Sequence, residues 1–292
     1  MNIAILLSQF QIELSLQEAI TIAKPEKFKL IKQLLLMKVK DENEFYNKIK
    51  QASFSKKVFQ LNPKIVKGSY KLIKKEIISK VNFQPTLRKF SHLTIDVKHP
   101  DHQIYIFGIG KELVGKLVYE NKDKFENRKA HNRPNNHPTS IDPRIARAMV
   151  NLADSNKLID PFCGSGGLLI EGALTKKEMK GYDNDLNQIQ RAKANLKHYN
   201  LKCELKCQDS TKKVFTENIV TDLPYGKNSK LIQANSNLIE WLFKNKSPKM
   251  IICYNKKIGI RKGWKLYKIF SIKVHKSLTR YIHIYHNSSI LA

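Results

Sequence analysis

Residues 141–292 alternate short apolar runs with longer amphipathic stretches. The runs at 157–160, 178–183, 203–209, 217–222 and 249–255 have the length of buried strands. Between them, apolar residues recur every three or four positions, as they do on one face of a helix. Strands that alternate with helices predict an α/β domain with a doubly wound, mostly parallel sheet. Residues 264–287 alternate strictly around a short turn, which predicts a terminal antiparallel hairpin and a seven-stranded sheet.

The first 120 residues mix strand-like and helix-like stretches less regularly, which favours an α+β arrangement. Residues 2–8 predict a strand. Ser15 with Glu18 predicts a helix start with a capping box, and Asp41 predicts the cap of a second helix. Alternation and glycine turns predict further strands between residues 92 and 120.

Residues 62–82 have the pattern of an amphipathic helix. Val66, Tyr70, Ile73 and Ile77 recur at helical spacing, so they would share one face. The lysines on another stripe are candidates for contacts with the phosphates of a nucleic acid: Lys64, Lys67, Lys71 and Lys74. An ordinary solvated helix face explains this stripe equally well.

A polar, proline-bearing segment, residues 121–137, is the predicted linker between an N-terminal region and the α/β domain at 138–292. No apolar run has transmembrane length, and the N-terminal run "IAILL" lacks the basic leader of a signal peptide. We therefore expect a cytoplasmic protein with no membrane partner, acting as a monomer.

The charge of the chain narrows the class of partner. The 53 Lys and Arg residues outnumber 25 Asp and Glu, for a net charge of +28. Such an excess favours a polyanionic partner such as a nucleic acid, and the alternative is a lysine- and isoleucine-rich proteome in which proteins are generally basic. The four cysteines, Cys163, Cys203, Cys207 and Cys253, have neither disulfide-framework nor zinc-site spacing, so we expect reduced thiols and no metal.

Two motifs follow predicted strands. In "DPFCGSGG", a strand ends at Asp160 and a glycine-rich turn (Gly164–Gly167) leads into a helix, where the backbone can approach an anionic ligand. The next strand ends at Asp183, which is placed to accept both ribose hydroxyls of a nucleoside, with Asp185 as the alternative. Asp209 follows the third strand and is a candidate acceptor for an adenine amino group. Three such strand ends together predict a nucleoside cofactor at the carboxyl edge of the sheet.

The second motif, "DLPYG" (222–226), ends the fourth predicted strand of this domain. It resembles the D/N-P-P-Y motif of S-adenosylmethionine-dependent amino-methyltransferases, and "DPFCGSGG" resembles their first motif. Together with "RPNNHPTSIDPRIARAMVNL" and "VHKSLTRYIHIY", these motifs occur in the order seen in archaeal tRNA guanine-N2 methyltransferases that act at position ten. Leu223 stands where that family usually has proline, and Ser165 where threonine is commoner.

The resemblance implies a tRNA substrate, S-adenosyl-L-methionine as cofactor and N2 methylation of a guanine, once or twice. It also implies a ferredoxin-like domain at 1–60 and an RNA-binding THUMP domain at 61–120. The implied catalytic residues are Asp222, Leu223, Pro224 and Tyr225; the implied cofactor residues are Asp160, Phe162, Gly164, Ser165, Gly166, Asp183, Asp209 and Ser210. Further candidate RNA contacts are Arg128, Arg133, Lys276 and Arg280. For Arg128 and Arg133, contact with the cofactor carboxylate and a role as ordinary solvated linker residues are equally open alternatives.

Three questions stay open at this stage. The substrate could be a guanine at another tRNA position or in ribosomal RNA, because related motifs serve those reactions. A non-catalytic RNA-binding protein is the second alternative, although its cofactor loop would be expected to have degraded. The sequence does not decide whether a small activator protein is required.

Overall fold

The computed structural model describes residues 2–135, 140–224 and 229–290, with only the backbone for 229–235. The chain consists of two compact units, Met1–Asp123 and Lys124–Ala292. The division falls inside the segment 121–137 that the sequence predicts as a linker. No helix of the described residues is long and apolar enough to cross a bilayer.

The first unit contains one eight-stranded sheet and three helices. Its elements are β1 (Asn2–Leu7), α1 (Ile12–Ala23), β2 (Lys27–Ile31), β3 (Leu34–Lys38), α2 (Glu42–Ile49), β4 (Ser55–Leu61), β5 (Ser69–Glu76), α3 (Gln84–Lys89), β6 (Thr94–Ile95), β7 (His102–Gly108) and β8 (Glu112–Glu120). The strand order is β2-β3-β1-β4-β8-β7-β5-β6. The boundary expected between residues 60 and 61 lies within β4, and the assignment of ferredoxin-like and THUMP domains stays a prediction.

The helix predicted for residues 62–82 is wrong, because this segment contains β5. A turn at Gly68, with a φ of 106°, precedes β5, which then pairs in parallel with β7 from Tyr70↔His102 to Glu76↔Gly108. Val66, assigned to the apolar helix face, is 85% exposed. The backbone hydrogen bonds come from a strand about thirty residues away, so a local pattern could not reveal them.

The four lysines of the predicted stripe therefore do not form a helical row. Lys64 and Lys67 lie in the irregular segment before β5, whereas Lys71 and Lys74 lie within the strand. Lys74 forms an exposed ion pair with Glu76 at 2.9 Å. The stripe as predicted does not exist, although these side chains remain at least partly exposed.

The capping box at Ser15 is also wrong, since α1 begins at Ile12. The Ser15 hydroxyl donates to the Gln11 carbonyl at 2.7 Å, inside the helix. Glu18 is buried and accepts hydrogen bonds from the Ser53 and Phe54 amides at 2.8 and 3.0 Å. The prediction at Asp41 is confirmed, because its side chain accepts from the Glu44 amide at the start of α2.

The second unit has the predicted α/β architecture. Its elements are α4 (Pro143–Leu152), β9 (Lys157–Asp160), α5 (Gly167–Leu174), β10 (Glu178–Asp183), α6 (Leu186–His198), β11 (Glu204–Cys207), β12 (Asn218–Asp222), α7 (Ser229–Leu242), β13 (Lys249–Tyr254), β14 (Trp264–His275) and β15 (Leu278–Asn287). Two short 3-10 helices, Phe125–Arg128 and Ala130–Asn132, precede α4, and a third, Ser210–Lys212, follows β11.

The strand order of the second sheet is β11-β10-β9-β12-β13-β15-β14. Strands β9 to β13 are parallel, and β15 joins β13 antiparallel, so the hairpin at 264–287 is confirmed. Strand order reverses direction at β9, where β10 and β12 lie on either side. In such sheets a ligand binds beyond the carboxyl ends of the strands at this reversal point.

Candidate active site

A cavity of about 480 Å³ lies at the carboxyl ends of β9, β10 and β12. This volume is within the range of small-molecule sites. Its walls include all of the predicted cofactor residues except Gly166, together with Asp222, Leu223 and Pro224: Asp160, Phe162, Gly164, Ser165, Asp183, Asp209 and Ser210. The glycine-rich motif and residues 222–224 of the second motif therefore meet at one site, as their positions after neighbouring strands predict.

The glycine-rich turn takes a conformation that other residues rarely adopt. Gly164 has a φ of 49° and Gly166 a φ of 88°. A side chain on Gly164 would meet no atom within 4 Å, so this glycine faces open space. A Cβ on Gly166 would instead lie 3.3 Å from the Ala192 side chain on α6. The turn thus leaves room for a ligand on one side while it packs closely on α6 on the other.

A buried amide on α6 holds the turn from behind. Asn195 is completely buried, and its Nδ2 donates to the carbonyls of Ser165 and Asn135 at 3.0 and 2.9 Å. Its Oδ1 accepts from the Asn135 amide at 3.1 Å. The hydroxyls of Ser140 and Ser165 lie 3.1 Å apart. The turn is therefore tied to α6 and to the segment before α4 by side-chain hydrogen bonds.

Asp160 is the most deeply buried acid of the cavity, with 1% exposure. Burial raises its pKa to about 8, with the carboxylates of Asp222 and Asp183 adding to the shift. Hydrogen bonds from the Thr221 hydroxyl at 2.8 Å and the Phe162 amide oppose that rise. At pH 7 the Asp160 carboxyl is therefore mostly protonated, so it can donate as well as accept a hydrogen bond.

Asp183 ends β10 and Asp209 follows β11, and the environments of the two carboxylates differ. Asp183 accepts from the Gly164 amide at 2.9 Å, and burial raises its pKa. Asp209 accepts from the hydroxyl and amide of Thr211, and these bonds lower its pKa. Asp185, the alternative to Asp183, caps α6 through the Asn187 amide and also lines the cavity. The geometry favours Asp183, since it alone contacts the glycine turn directly.

Asp222 ends β12 and forms an ion pair that the sequence did not predict. Its Oδ2 lies 2.8 Å from Nη1 of Arg280 on β15, whose side chain is 6% exposed. Its Oδ1 is buried and accepts no hydrogen bond from the described residues. Burial raises the pKa of Asp222, and Arg280 counteracts the rise. Arg280 was expected, with Lys276, to guide RNA into the pocket, but its guanidinium is buried against Asp222 and does not line the cavity, so it is not an exposed contact for RNA.

Leu223, the residue that replaces the usual proline, extends the strand pairing. Its amide donates to the Cys253 carbonyl at 2.9 Å, a bond that proline could not form. Its side chain is 1% exposed within the core, whereas Pro224 is exposed. Tyr225, the predicted stacking platform, lies outside the described residues.

Two further predicted RNA contacts are buried and are corrected here. Arg128 forms an ion pair with the buried Glu171, with Nε 2.7 Å from Oε1. Arg133 is 4% exposed, and its Nε donates to the Arg128 carbonyl at 2.8 Å. Neither guanidinium is therefore an exposed phosphate contact; Arg128 is used in its ion pair, whereas both Nη atoms of Arg133 are buried without a hydrogen-bond partner among the described residues. Lys276 lies exposed at the β14–β15 turn, as predicted.

Sequence reasoning missed the residues that act through others. Thr221 and Asn195 touch site residues but sit in apolar surroundings with no motif of their own. In the sequence, both residues could have been recognised only as polar residues at positions that predict burial. Buried polar side chains are usually hydrogen-bonded. Among the described residues, no group of three or more His, Cys, Asp and Glu side chains is placed to hold a metal ion. The expectation of no metal stays a prediction.

The comparisons with known proteins agree with this geometry. A model of the UPF0020 family, described as an RMKL-like methyltransferase domain, matches residues 130–251. The second unit is therefore of the methyltransferase class. A tRNA (guanine(10)-N2)-dimethyltransferase from Pyrococcus abyssi is 31% identical over 75% of this chain and 74% of its own length. The chain belongs to that family, which confirms the resemblance seen in its motifs.

Other relatives extend the comparison. A tRNA (guanine(10)-N2)-dimethyltransferase from Methanothermobacter thermautotrophicus is 31% identical over 59% of this chain and 56% of its own length. The crystal structure of TrmN from Thermus thermophilus covers 98% of this chain and 99% of its own, with a TM-score of 0.52 and 14% identity. At that identity the likeness supports the fold, including the placement of an α/β sheet after an N-terminal unit.

Proposed function

We propose that this chain transfers methyl groups from S-adenosyl-L-methionine to the exocyclic N2 of guanosine at position 10 of tRNA. The products are N2-methylguanosine and then N2,N2-dimethylguanosine. The observation that carries the proposal is the position of Asp222, which lines the same cavity as the glycine-rich turn. The named activity of the relatives supports the choice of base, atom and position.

The cavity fits the cofactor in three respects. The open space at Gly164 admits a ligand against the backbone, where a side chain would intrude. Asp183 offers a carboxylate that can accept ribose hydroxyls. Asp209, whose pKa is lowered by its hydrogen bonds to Thr211, lines the same cavity with a carboxylate that suits a cation. When bound, S-adenosylmethionine supplies a methyl group on a positively charged sulfur, which makes the carbon open to attack by an amine.

The chain's own residues orient the substrate amine. Oδ1 of Asp222 accepts one N–H of the guanine, and a backbone carbonyl of Leu223 or Pro224 accepts the other. These two bonds favour a pyramidal nitrogen and aim its lone pair at the methyl group. Alignment of this kind supplies a large part of many enzymatic rates. Tyr225, following directly in sequence, stacks on the extruded base, worth about 1–3 kcal/mol in single-strand binders.

The test is methyl transfer from labelled S-adenosylmethionine to transcript tRNA, followed by mass spectrometry of the modified nucleoside. Asp222→Asn removes the anionic acceptor and is expected to lower transfer at least a hundredfold while cofactor binding, measured by calorimetry, persists. Glu178→Gln, an exposed carboxyl on β10, is the matched control and should behave as wild type. Full activity of Asp222→Asn would remove the motif from the mechanism.

The same experiment separates the alternatives. A label that maps to another tRNA position, or transfer only to ribosomal RNA, would replace the substrate while keeping the enzyme. Failure of the wild-type chain to bind S-adenosylmethionine would favour a non-catalytic RNA-binding protein. Counting one or two methyl groups on the isolated nucleoside decides between single and double transfer.

The proposal includes a cytoplasmic monomer that recognises tRNA partly through its N-terminal unit. The exposed or partly exposed lysines are the remaining candidates for phosphate contacts: Lys64, Lys67, Lys71, Lys74 and Lys276. Sedimentation of the purified chain tests the monomer. Transfer by that chain alone shows that no activator is required, whereas transfer that appears only after addition of a cell extract indicates one.

A further inference from the structure

Arg280 reaches Asp222 across an intervening strand. In the sheet β13 lies between β12 and β15, with Asp222 paired to Cys253 and Cys253 paired to Ile282. Cys253 is fully buried, and its thiol interacts with both members of the ion pair. A small side chain at this position leaves the guanidinium a direct path to Oδ2, 2.8 Å away.

We propose that Arg280 is a positioning residue, which holds Oδ2 of Asp222 so that Oδ1 faces the substrate amine as a charged acceptor. The inference rests on the proposed function, because it assigns a role within the same site. If Asp222 were protonated, it could still form a hydrogen bond, but it would be a weaker acceptor for the N–H of the guanine. Arg280 therefore acts on the reaction only through Asp222, without a contact to substrate.

Asp160 provides an internal comparison for this role. Both carboxyls follow strands at the same edge of the sheet, but Arg280 forms its ion pair with Asp222. Burial raises the pKa of Asp160 to about 8. The charged and titratable groups that face Asp222 are Asp160 on β9, the Cys253 thiol on β13 and Arg280 on β15. Of these groups, only Arg280 brings a positive charge.

The expected effect of Arg280→Gln follows from that comparison. Without Arg280, no neighbouring positive charge opposes the effect of burial, so the pKa of Asp222 should rise further and a smaller fraction of it should be ionised at neutral pH. Transfer should therefore fall at pH 7 and recover toward the wild-type rate as the pH rises to 9. The KM for S-adenosylmethionine should change less than kcat, because Arg280 does not line the cavity.

The experiment compares kcat against pH for wild type, Arg280→Gln and Arg280→Lys, with Lys273→Gln as a charge-matched control on the same hairpin. A mutant-to-wild-type ratio that climbs with pH, and partial rescue by lysine, supports the proposal. A ratio that stays constant from pH 6.5 to 9 overturns it. If the wild type itself transfers no methyl group, the proposed function fails instead, so the two failures are distinguishable.

A second, independent observation concerns the opposite end of the sheet. Lys249 on β13, His286 on β15 and Lys265 on β14 lie directly across from one another in the strand register. Cross-strand partners share one face, so three basic side chains form a row, which we call the basic row. Burial lowers the pKa of His286, and the positive charges of Lys249 and Lys265 lower it further.

The surroundings of the basic row indicate the chemistry of its ligand. Residues 241–292 contain 12 Lys and Arg and no Asp or Glu. Tyr267 is 52% exposed, and its ring lies 5.6 Å from the His286 ring in an edge-on arrangement. Cations beside an exposed aromatic ring are the usual elements of single-stranded RNA binding. The row lies about 13 Å along β13 from Cys253, at 3.3 Å per residue.

We infer that the basic row, with Tyr267, binds the phosphate backbone of the substrate tRNA at a distance from the reacting base. This surface also rests on the proposed function for the identity of its RNA. It adds affinity without entering the chemistry, because it lies at the amino ends of the parallel strands. Lys249, Lys265, His286 and Tyr267 are not among the RNA contacts that the sequence predicts.

The test is the salt dependence of tRNA affinity, measured by fluorescence anisotropy, for the double variant Lys249→Gln/Lys265→Gln. Each lost phosphate contact lowers the slope of log K against log salt by about 0.7 to 0.9, so the double variant should lose about 1.4 to 1.8. Lys193→Gln/Lys197→Gln, two exposed lysines on α6, carries the same charge change as the control. A slope loss equal to that of the control overturns the inference, as does an unchanged KM for tRNA.

Discussion

Replacement of Glu171 by glutamine tests whether Arg128 and Arg147 stabilise the fold through buried ion pairs. Glu171 on α5 is completely buried and accepts from two arginines, Arg128 at 2.7 Å and Arg147 at 2.8 Å. The Phe125 ring packs against both guanidiniums, at 4.8 and 5.6 Å from its centroid. The substitution keeps the volume but removes the carboxylate that both ion pairs share.

The expected loss of stability follows from the burial of the charges left behind. The side chains of Arg128 and Arg147 are 11% and 6% exposed, so their guanidiniums would remain charged and largely desolvated. Breaking a buried pair in this way costs about 3–5 kcal/mol. A domain of this size loses about 2–4 °C of Tm per kcal/mol, so the expected fall in Tm is roughly 6–20 °C.

The assay is thermal unfolding followed by tryptophan fluorescence. Both tryptophans of the chain, Trp241 and Trp264, lie in the second unit, so the signal reports that unit. Glu178→Gln is the control, because its pair with Lys157 spans 3.5 Å between side chains that are more than half exposed. We expect little change in its Tm, since exposed pairs contribute little.

Two results would refute the reasoning. The first is a fall in Tm no larger than that of Glu178→Gln, which would mean that the buried pairs are not important for the fold. The second is a failure of the triple variant Glu171→Leu/Arg128→Met/Arg147→Met to recover stability, because apolar replacement of a whole buried network is often neutral or stabilising. The Kd for tRNA should be unchanged in Arg128→Met, in contrast to its original assignment as an RNA contact.

Three further predictions address the site and the core. Asn195→Ala leaves the Ser165 carbonyl without its donor, so we expect a loss of about 1–3 kcal/mol and weaker S-adenosylmethionine binding by calorimetry; unchanged binding would contradict the role of this amide. Gly166→Ala forces a residue with a Cβ to a φ of 88°, which costs about 1–2 kcal/mol in urea unfolding, and an unaltered midpoint would count against the strain. Buried His283 accepts from the Ile258 amide at 2.9 Å, and burial lowers its pKa, so the neutral form is favoured in the folded state. Its contribution to stability is present above the unfolded pKa of about 6.5 and is lost as pH falls toward the lower folded pKa; Tm measured from pH 7.5 to 5.5 should fall more steeply in wild type than in His283→Gln.

The second unit was predictable because its signals are local. The strands β9, β10, β11 and β12 each end at or near an acidic residue that lines the cavity: Asp160, Asp183, Asp209 and Asp222. Asp160, Asp183 and Asp222 come together because parallel strands end at one edge of a sheet. Their convergence needed only the order of strands and helices, which the periodicity of the chain supplies.

The errors share a different cause. Segment 62–82 pairs with β7, a strand about thirty residues away, and its apparent helical period had no bearing on that pairing. Ser15 and Glu18 have the spacing of a capping box, yet Glu18 binds amides near residue 53 instead. A local pattern competes with distant hydrogen-bond partners that the sequence does not display.

The sequence by itself determined the class of the second unit, the order of its elements and the acidic and glycine residues at the edge of its sheet. Only the tertiary structure decided which arginine and lysine side chains are exposed and could contact RNA. Arg128, Arg133 and Arg280 are indistinguishable in sequence from surface arginines, but each is enclosed, and Arg280 pairs with Asp222. The physical reason is that burial and ion pairing depend on which strands and helices meet, and a charge in a sequence carries no record of its neighbours.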